Sequence, residues 1–192
     1  MAKALPSDAN FLGLEPEFSE PDSAGVLVLT VPHEATSTFG RGSGAGPSAI
    51  LEASRQVELF DAALGFEPFH ACGGVATLEP VDTANASGAQ VAERLYEAVH
   101  PWFRIDKFVV VLGGEHSSVV GAIQAHADHF ADLSVLQLDA HSDLREEYEG
   151  SPWNHACAMA RVLEFHDHLV QAGIRSQEVT ERARIEQQFI PV

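Results

Sequence analysis

The stretches VVVLGGEHSS (109–118) and LQLDAHSD (136–143) decide the fold, because each is an apolar run that gives way abruptly to acidic residues and histidine. Continuous runs of valine and leucine are typical of strands buried on both faces, as in a parallel sheet covered by helices. The predicted strands are 25–31, 72–78, 107–113, 133–138 and 168–174, and segments with helical periodicity separate them at 48–60, 87–103, 117–130 and 154–165. This alternation predicts an α/β fold of three layers (α/β/α), with helices on both faces of a mostly parallel sheet.

The length of 192 residues, 45% of them hydrophobic, is enough for one domain with a core and too little to expect two. We interpret residues 1–24 as a flexible N-terminal arm and residues 25–192 as the α/β domain. The N-terminal residues lack the basic start, apolar stretch and cleavage site of a secretory signal. Cys72 and Cys157 are too few for a disulfide framework, which suits a reducing cytoplasm. No run of about 20 apolar residues that could cross a bilayer is present, so a membrane is not an expected partner.

The composition is strongly acidic, with 28 Asp and Glu against 11 Lys and Arg and a formal net charge of -17. Such a charge repels phosphate backbones and anionic lipid surfaces, so we do not expect nucleic acid as a partner. It would attract a small cationic substrate such as a guanidino compound. Acidity more often serves solubility or salt tolerance, and the composition alone leaves both interpretations open.

Residue types that bind metals follow both of the quoted apolar runs. Asp139, His141 and Asp143 alternate after one predicted strand, and His116 follows the glycine pair after the other. On extended backbone, alternate residues point to one side, and ligand sites in open α/β sheets gather beyond the carboxyl ends of the strands. We therefore expect the four side chains to share one crevice. An isolated Asp or His after a strand is more often a cap or turn residue, but two such motifs at successive strand ends favour a metal site.

Mixed carboxylate and imidazole ligands without cysteine favour a hard or borderline divalent ion such as Mn2+ over a structural zinc. Carboxylates can bridge two ions about 3.5–4 Å apart, and such a pair activates water near neutral pH, so hydrolysis is the expected chemistry. His155, at the head of a predicted helix, could reach the same crevice. It is either a proton shuttle or a first-turn helix residue, and the residues alone do not separate these two interpretations.

Taken together, these motifs resemble those of the ureohydrolase family, which includes arginase and agmatinase. GGEHS (113–117) and DAHSD (139–143) resemble its two upstream metal motifs, and GSPWNHACAMARVLE (150–164) resembles the active-site loop and helix that follow. VPHEATSTFGRGSGAGPSAILEASRQVELFD (31–61) resembles its N-terminal glycine-rich segment and helix, and VQAGIRS (170–176) its next core strand. The resemblance runs from about residue 25 to residue 176 and is closest to agmatinases.

The resemblance implies a role for each candidate residue. His116 and Asp143 would bind one Mn2+, His141 would bind a second, Asp139 would bridge both, and His155 would match the proton-shuttling histidine. It also implies an arginase-like fold and the hydrolysis of a guanidino compound, with agmatine giving putrescine and urea as the expected reaction. The expected setting is a cytoplasmic homo-oligomer.

The sequence departs from the family's pattern near its C-terminal end. The third metal motif of the family, which completes both metal shells, and its guanidinium-binding acidic residue have no counterpart after Gly173, so four of six expected ligands are present. The resemblance also implies that two C-terminal strands are missing between the strands that end in GGEH and DAHSD. The strands that end in GGEH and DAHSD could close up on each other, a C-terminal fragment could supply the missing pair, or the chain could fold poorly. The alternative to a hydrolase is a non-catalytic truncated homologue that acts as a scaffold or oligomer partner.

Overall fold

The computed structural model describes residues 3–105 and 107–192, and the strands in these ranges are parallel and divide into two sheets. In the first sheet, β1 (Val26–Val31) lies between β2 (Val75–Thr77) and β3 (Phe108–Gly113). β1 is paired with β3 along its whole length and with β2 over three residues. In the second sheet, β4 (Val135–Leu138) pairs with β5 (Leu169–Ala172). All five strands lie where the sequence predicts them, which confirms the parallel α/β class.

A gap separates the two sheets. Within the described ranges, no ladder of hydrogen bonds joins β3 to β4, so each of these strands has one unpaired edge. On β4, Leu136 is 62% exposed and Leu138 is 76% exposed, although both belong to an apolar strand. Of the outcomes considered for the interrupted sheet, closure of these two strands on each other is therefore not observed in the part of the chain that the structure describes.

Six α-helices accompany the strands in the described residues. They are α1 (Gly46–Ser54), α2 (Pro68–Ala71), α3 (Gly88–Val99), α4 (Val120–His129), α5 (Ala158–Val162) and α6 (Val179–Gln188). The sequence pattern predicts α1, α3, α4 and α5 and misses α2 and α6. With four residues, α2 is too short to show a period, and most of α6 is polar. Over these same ranges, no helix has both the length and the apolar character that a membrane span requires.

Helices cover both faces of the first sheet, which confirms the expected three layers. On one face, Leu27 and Leu29 of β1 share a core with Leu95 of α3 and with residues of α4. On the other face, Val28 packs in a core with Phe69 of α2, with α1 and with the N-terminal segment. A third apolar cluster joins α4, α5 and α6 to β4 and β5. The alternation of buried side chains along β1 thus places helices on both sides of it.

Residues 3–24, which the sequence suggests form a flexible arm, pack against the first sheet. The buried amide of Asn10 donates to the carbonyl oxygen of Val75 (2.9 Å) and accepts the N–H of Thr77 (2.7 Å). It thereby satisfies backbone groups of β2, the edge strand, which would otherwise be unpaired. Leu14 adds a buried apolar contact. Backbone hydrogen bonds from Leu5 to Thr77 (2.8 Å) and from Glu79 to Lys3 (2.8 Å) add to this attachment. Such contacts leave no period in the sequence, and the domain boundary at residue 24 stays a prediction.

Helices α3 and α4 approach each other closely at Gly121. A Cβ atom at this position would lie 1.9 Å from the carbonyl oxygen of Ala92 in α3. We expect Gly121→Ala to lower the free energy of unfolding by at least about 1–3 kcal/mol, the usual cost of overpacking. Gly46→Ala in α1 is the matched control, because no atom lies within 4 Å of its added Cβ, and it should be neutral or slightly stabilising. Denaturant unfolding of both variants checks this, and equal losses would contradict it.

Candidate metal centre

The turn after β3 is held beneath the segment 32–45. A Cβ on Gly114 would lie 2.3 Å from the carbonyl oxygen of His33, so only glycine permits this approach of the two backbones. Glu115 follows and is buried, and its Oε2 accepts two backbone N–H groups of the segment 32–45, at 2.7 and 2.8 Å. The turn is therefore fixed to that segment, which also fixes the backbone position of the next residue, His116.

Three of the four predicted metal ligands converge beyond the ends of β3 and β4. His116 Nδ1 lies 2.5 Å from Asp143 Oδ2 and 3.3 Å from Asp139 Oδ2. One ligand atom from each of these residues lies within 4.8 Å of the others. Two carboxylates with an imidazole nitrogen between them match the ligand types of a hard or borderline divalent cation. The cluster can hold such a cation between the imidazole and the two carboxylates.

The charges of the cluster shift the pKa values of its members. Burial by itself would lower the pKa of His116, but the hydrogen bond and charge of Asp143 and the charge of Asp139 outweigh it and raise the pKa above the ordinary 6.5. Burial would likewise raise the pKa of Asp139, but hydrogen bonds from the N–H of His141 and from Gln137, with the nearby histidine charges, hold it below 3.8. Without metal, the cluster thus favours an imidazolium between carboxylates.

Metal binding at this cluster is expected to depend on pH. His116 must lose its proton before Nδ1 can bind a cation, so affinity for Mn2+ should rise as the pH rises through the raised pKa and level off above it. Below that pKa, binding should release about one proton per His116. Calorimetry in buffers of different ionisation enthalpy counts these protons. An affinity that stays constant from pH about 6 to about 8, around the ordinary histidine pKa, would contradict the assignment.

Two buried glutamines support the loop that follows β4. Gln137 Nε2 donates to Asp139 Oδ2 (3.1 Å) and to the carbonyl oxygen of His141 (3.1 Å). Gln171 on β5 donates through Nε2 to Gln137 Oε1 (2.5 Å) and to the carbonyl oxygen of Ser142 (2.7 Å). Such outer hydrogen bonds orient the groups that bind a metal. The pairing of β4 with β5 thereby fixes the direction of the Asp139 carboxylate.

The backbone is not extended through the DAHSD motif. β4 ends at Leu138, and Asp143 adopts a left-handed conformation with φ 51°. The expected alternation along extended chain is therefore wrong as the reason why the ligands converge. The carbonyl oxygen of Asp143 accepts the N–H groups of Met159 (2.9 Å) and Ala160 (3.0 Å) at the start of α5. These hydrogen bonds hold the left-handed turn that directs Asp143 at His116.

The fourth predicted ligand, His141, lies at the rim of the cluster. Its side chain is 64% exposed, and its Nδ1 is 3.5 Å from Asp139 Oδ1. It lines the same cavity as His116, Asp139 and Asp143. The structure thus brings three of the predicted ligands into direct contact and leaves the fourth beside one of them.

His155 begins a short 3-10 turn and lines the same cavity as the cluster. The side chain of Asn154 caps the turn by accepting the N–H of Ala156 (3.1 Å). The imidazole Nδ1 lies 3.1 Å from the hydroxyl oxygen of Thr36, and the Tyr148 ring approaches it edge-on, with centroids 6.3 Å apart. His155 is therefore a first-turn residue that also faces the cavity, and its role as a proton shuttle stays a prediction.

The sequence reasoning missed two residues that support the site. Glu115 belongs to the GGEHS motif, and its carboxylate holds the segment 32–45. Glu181 of α6 is buried, and its carboxylate accepts the N–H of Leu144 (3.0 Å) and the N–H of Glu178 (2.7 Å). The spacing Glu178-x-x-Glu181 is a capping-box signal that could have revealed the start of α6. The hydrogen bond from the N–H of Leu144 to Glu181 leaves no pattern in the sequence.

The fold and the cluster define an α/β protein with a metal-type ligand set at the carboxyl ends of its parallel strands. The chain belongs to the Arginase family, whose profile matches residues 24–192. This finding confirms the resemblance inferred from GGEHS and DAHSD.

Individual relatives agree with that assignment. The chain is 38% identical over 188 residues to the N(1)-aminopropylagmatine ureohydrolase of Synechocystis sp., covering 95% of this chain and 60% of the relative. It is 30% identical over 172 residues to the agmatinase of Bacillus cereus, covering 86% of this chain and 56% of the relative. The solved structure of agmatine ureohydrolase from Thermoplasma volcanium superposes with a TM-score of 0.79 at 26% identity, over 91% of this chain and 58% of the other. The chain thus spans less than two thirds of the length of each of these relatives.

Proposed function

We propose that this chain contributes to a guanidino hydrolase centre, with agmatine as substrate and putrescine and urea as products. The observation that carries the proposal is the convergence of His116, Asp139 and Asp143 on one cavity. Family membership supports it, since the similar proteins of Synechocystis sp. and Bacillus cereus are named as a ureohydrolase and an agmatinase. The net charge of -17 would favour the approach of a cationic guanidinium group.

The residues present fit a pair of manganese ions in their donor chemistry. We assign His116 and Asp143 to one ion, His141 to the other, and Asp139 to a bridging position between them. The set contains carboxylate oxygens and imidazole nitrogens without thiolate, which suits Mn2+. When bound, such a pair supplies a Lewis acid and an activated water near neutral pH.

The side chains around the cavity would bind the substrate and move its protons. An adjoining cavity shares His141, Asp143 and His155 with the first. Glu181 and Tyr148 also line it, so it combines acidic groups with an aromatic wall. The guanidinium of Arg145 lies over the Tyr148 ring, 4.4 Å from its centroid, which keeps this cation engaged. We assign His155 the transfer of a proton to the leaving amine, since histidine is the side chain that most often transfers protons in enzymes.

Urea release tests the reaction. The completed protein, loaded with Mn2+, is expected to release urea from agmatine. His155→Gln is expected to reduce kcat by about 100-fold or more, the usual range for loss of a general acid or base. His168→Gln is the matched control, because this exposed histidine approaches Asp167 at 3.7 Å and the ring of His166 at 5.6 Å, and neither residue lines the cavity. Absence of urea in the completed, metal-loaded protein would contradict the proposal.

A second substrate, N(1)-aminopropylagmatine, is favoured by one observation. The Synechocystis relative with 38% identity over 95% of this chain carries that substrate in its name, whereas the Bacillus cereus agmatinase is 30% identical over 86%. The two compounds share the guanidinium group and differ in length and charge. Comparing kcat/KM for both in the same assay decides between them, and a larger value for the longer compound would replace agmatine as the proposed substrate.

The complete centre, we propose, takes its remaining ligands from a C-terminal polypeptide outside these 192 residues, in cis or as a complementing fragment. The unpaired edges of β3 and β4 support this, because parallel strands added there would satisfy their backbone groups. The exposed leucines of β4, Leu136 and Leu138, would then be covered. Homo-oligomer formation and a cytoplasmic location are further parts of this proposal.

Co-expression tests the complementation. The C-terminal part of the Synechocystis relative is expected to co-purify with this chain. Leu138→Asp, which places a charge on the open strand, should weaken that association by about 10-fold or more, since burying an unpaired charge is costly. Val179→Asp is the matched control, because Val179 is 79% exposed on α6 and does not belong to a sheet edge. Equal association of both variants would contradict the proposed site.

The alternative to a hydrolase is a non-catalytic scaffold or oligomer partner. Metal analysis separates the two: the hydrolase proposal expects Mn2+ to bind the purified chain at the His116 cluster. A chain that binds no Mn2+ and gains no urea release on complementation would favour the scaffold instead.

A further inference from the structure

We propose that Thr36 and Glu115 are positioning residues that fix the tautomer of His155, with the proton on Nδ1 and a bare lone pair on Nε2. Neither residue was assigned a role by the sequence motifs. The tautomer follows from hydrogen bonding alone, whereas the use made of Nε2 rests on the proposed function.

The carboxylate of Glu115 acts as an acceptor in each of its hydrogen bonds. Its Oε2 accepts the backbone N–H groups of Ala35 (2.8 Å) and Thr36 (2.7 Å). Its Oε1 accepts the hydroxyl of Ser117 (2.6 Å) and lies 2.9 Å from the hydroxyl oxygen of Thr36. His33 Nε2 is the remaining polar neighbour, at 3.7 Å, which is beyond hydrogen-bonding distance. The Thr36 hydroxyl must therefore point its single proton at Glu115.

With its proton committed, the Thr36 oxygen can only accept. A hydroxyl oxygen has two lone pairs, and two groups of His155 approach this one. The backbone N–H of His155 donates to it at 2.9 Å, and the ring Nδ1 lies 3.1 Å away. If Nδ1 carried no proton, two acceptors would face each other across that distance. The arrangement is satisfied only when Nδ1–H donates, which leaves Nε2 as the unprotonated nitrogen of the neutral ring.

The hydrogen-bonded series Glu115–Thr36–His155 also connects three segments that surround the site. Glu115 follows β3, Thr36 lies in the segment 32–45, and His155 precedes α5. Within the described residues, Nε2 of His155 has no hydrogen-bond partner, while the ring lines the cavity that holds His116 and the acidic cluster. Nε2 is therefore the nitrogen available to a substrate. A neutral ring with this tautomer can accept a proton at Nε2 and return it without reorienting.

Nitrogen NMR of the ring reports the tautomer directly. The metal-free 192-residue chain, with its histidines labelled in the ring, is measured at pH about 8, above the ordinary imidazole pKa. His155→Gln identifies the resonances of this residue by their loss. We expect Nδ1 of His155 at the position of a protonated nitrogen and Nε2 at that of an unprotonated one. The reverse order in the native chain would overturn the proposal.

Three variants separate positioning from a merely structural role. Thr36→Val keeps the shape but removes the hydroxyl, so the two resonances are expected to move toward the Nε2–H tautomer. Thr36→Ser retains the hydroxyl and should restore the native spectrum. Thr38→Val removes another hydroxyl from the same cavity and should leave the His155 resonances in place. A folded Thr36→Val chain with an unchanged spectrum would also overturn the proposal.

Kinetics then connect the tautomer to the reaction. In the complemented protein, Thr36→Val is expected to lower kcat by about 10-fold or more with little change in KM, and Thr36→Ser to recover most of it. If the native complemented protein releases no urea while the NMR result holds, the proposed function fails and the tautomer assignment stands. If urea is released but the tautomer is reversed, the assignment fails alone.

Discussion

Asp143→Asn is expected to lower the affinity of the chain for Mn2+ by at least about 100-fold, because loss of even an outer partner of a metal ligand costs about 10- to 100-fold. Asparagine is chosen because Asp143 has φ 51°, a conformation that asparagine adopts at lower cost than alanine. The substitution therefore removes the charge next to His116 Nδ1 without adding backbone strain. Titration calorimetry measures the affinity.

The matched control is Asp167→Asn. Asp167 also lies near an imidazole, His168 at 3.7 Å, but its side chain is 92% exposed. This variant should bind Mn2+ as the native chain does. A second readout is thermal unfolding, since a ligand at 100 times its Kd stabilises the folded state by about 2.7 kcal/mol. That stabilisation should be lost in Asp143→Asn alone, and its persistence there would place the metal elsewhere.

Glu181→Ala is expected to lower the free energy of unfolding by about 2–4 kcal/mol. The change strips the acceptor from the buried N–H of Leu144, and an unsatisfied buried donor costs about 1–3 kcal/mol. It also removes the capping-box hydrogen bond to the N–H of Glu178, for which about 1 kcal/mol is typical. Because Leu144 follows Asp143 directly, we further expect about a 10-fold loss of affinity for Mn2+.

Glu186→Ala provides the matched control on the same helix. Its carboxylate is 63% exposed and pairs with Arg182 one turn away at 2.9 Å. Exposed pairs of this kind contribute about 0.3–0.5 kcal/mol, and the metal loop is not in contact with this one. Denaturant unfolding and metal titration of both variants decide the matter. If the two lose the same stability, Glu181 does not anchor the loop.

The five strands could be predicted from the sequence because each is a short apolar run with its own boundaries. β1 is buried over five of its six residues, and a strand of this kind needs no partner to be recognised in the chain. β3 is only partly buried, but it is an equally continuous apolar run. The helix α3 could also be predicted, from its Ser87 cap and its apolar stripe. The same rules failed for α6, where two buried residues, Glu181 and Ile185, lie on an otherwise polar helix.

The candidate ligands could also be recognised in the sequence, whereas the reason for their convergence could not. His116, Asp139 and Asp143 could be recognised because they follow predicted strands and because few residue types bind a divalent cation. Their actual placement depends on a left-handed turn at Asp143 that two N–H groups of α5 stabilise. Hydrogen bonds between residues far apart in the chain leave no pattern along it.

By itself, the sequence determined the parallel α/β class through its periodicity, and its motifs carried the resemblance to the Arginase family and the residue types of a candidate metal site. Periodicity and motifs are local properties of the chain. Only the tertiary structure decided that the strands form two separate sheets, that Asn10 holds the N-terminal segment on β2, and that Thr36 joins Glu115 to His155. The physical reason is the distance along the chain. These contacts join residues 67 to 119 positions apart, and burial and hydrogen bonding bring them together only once the core has formed.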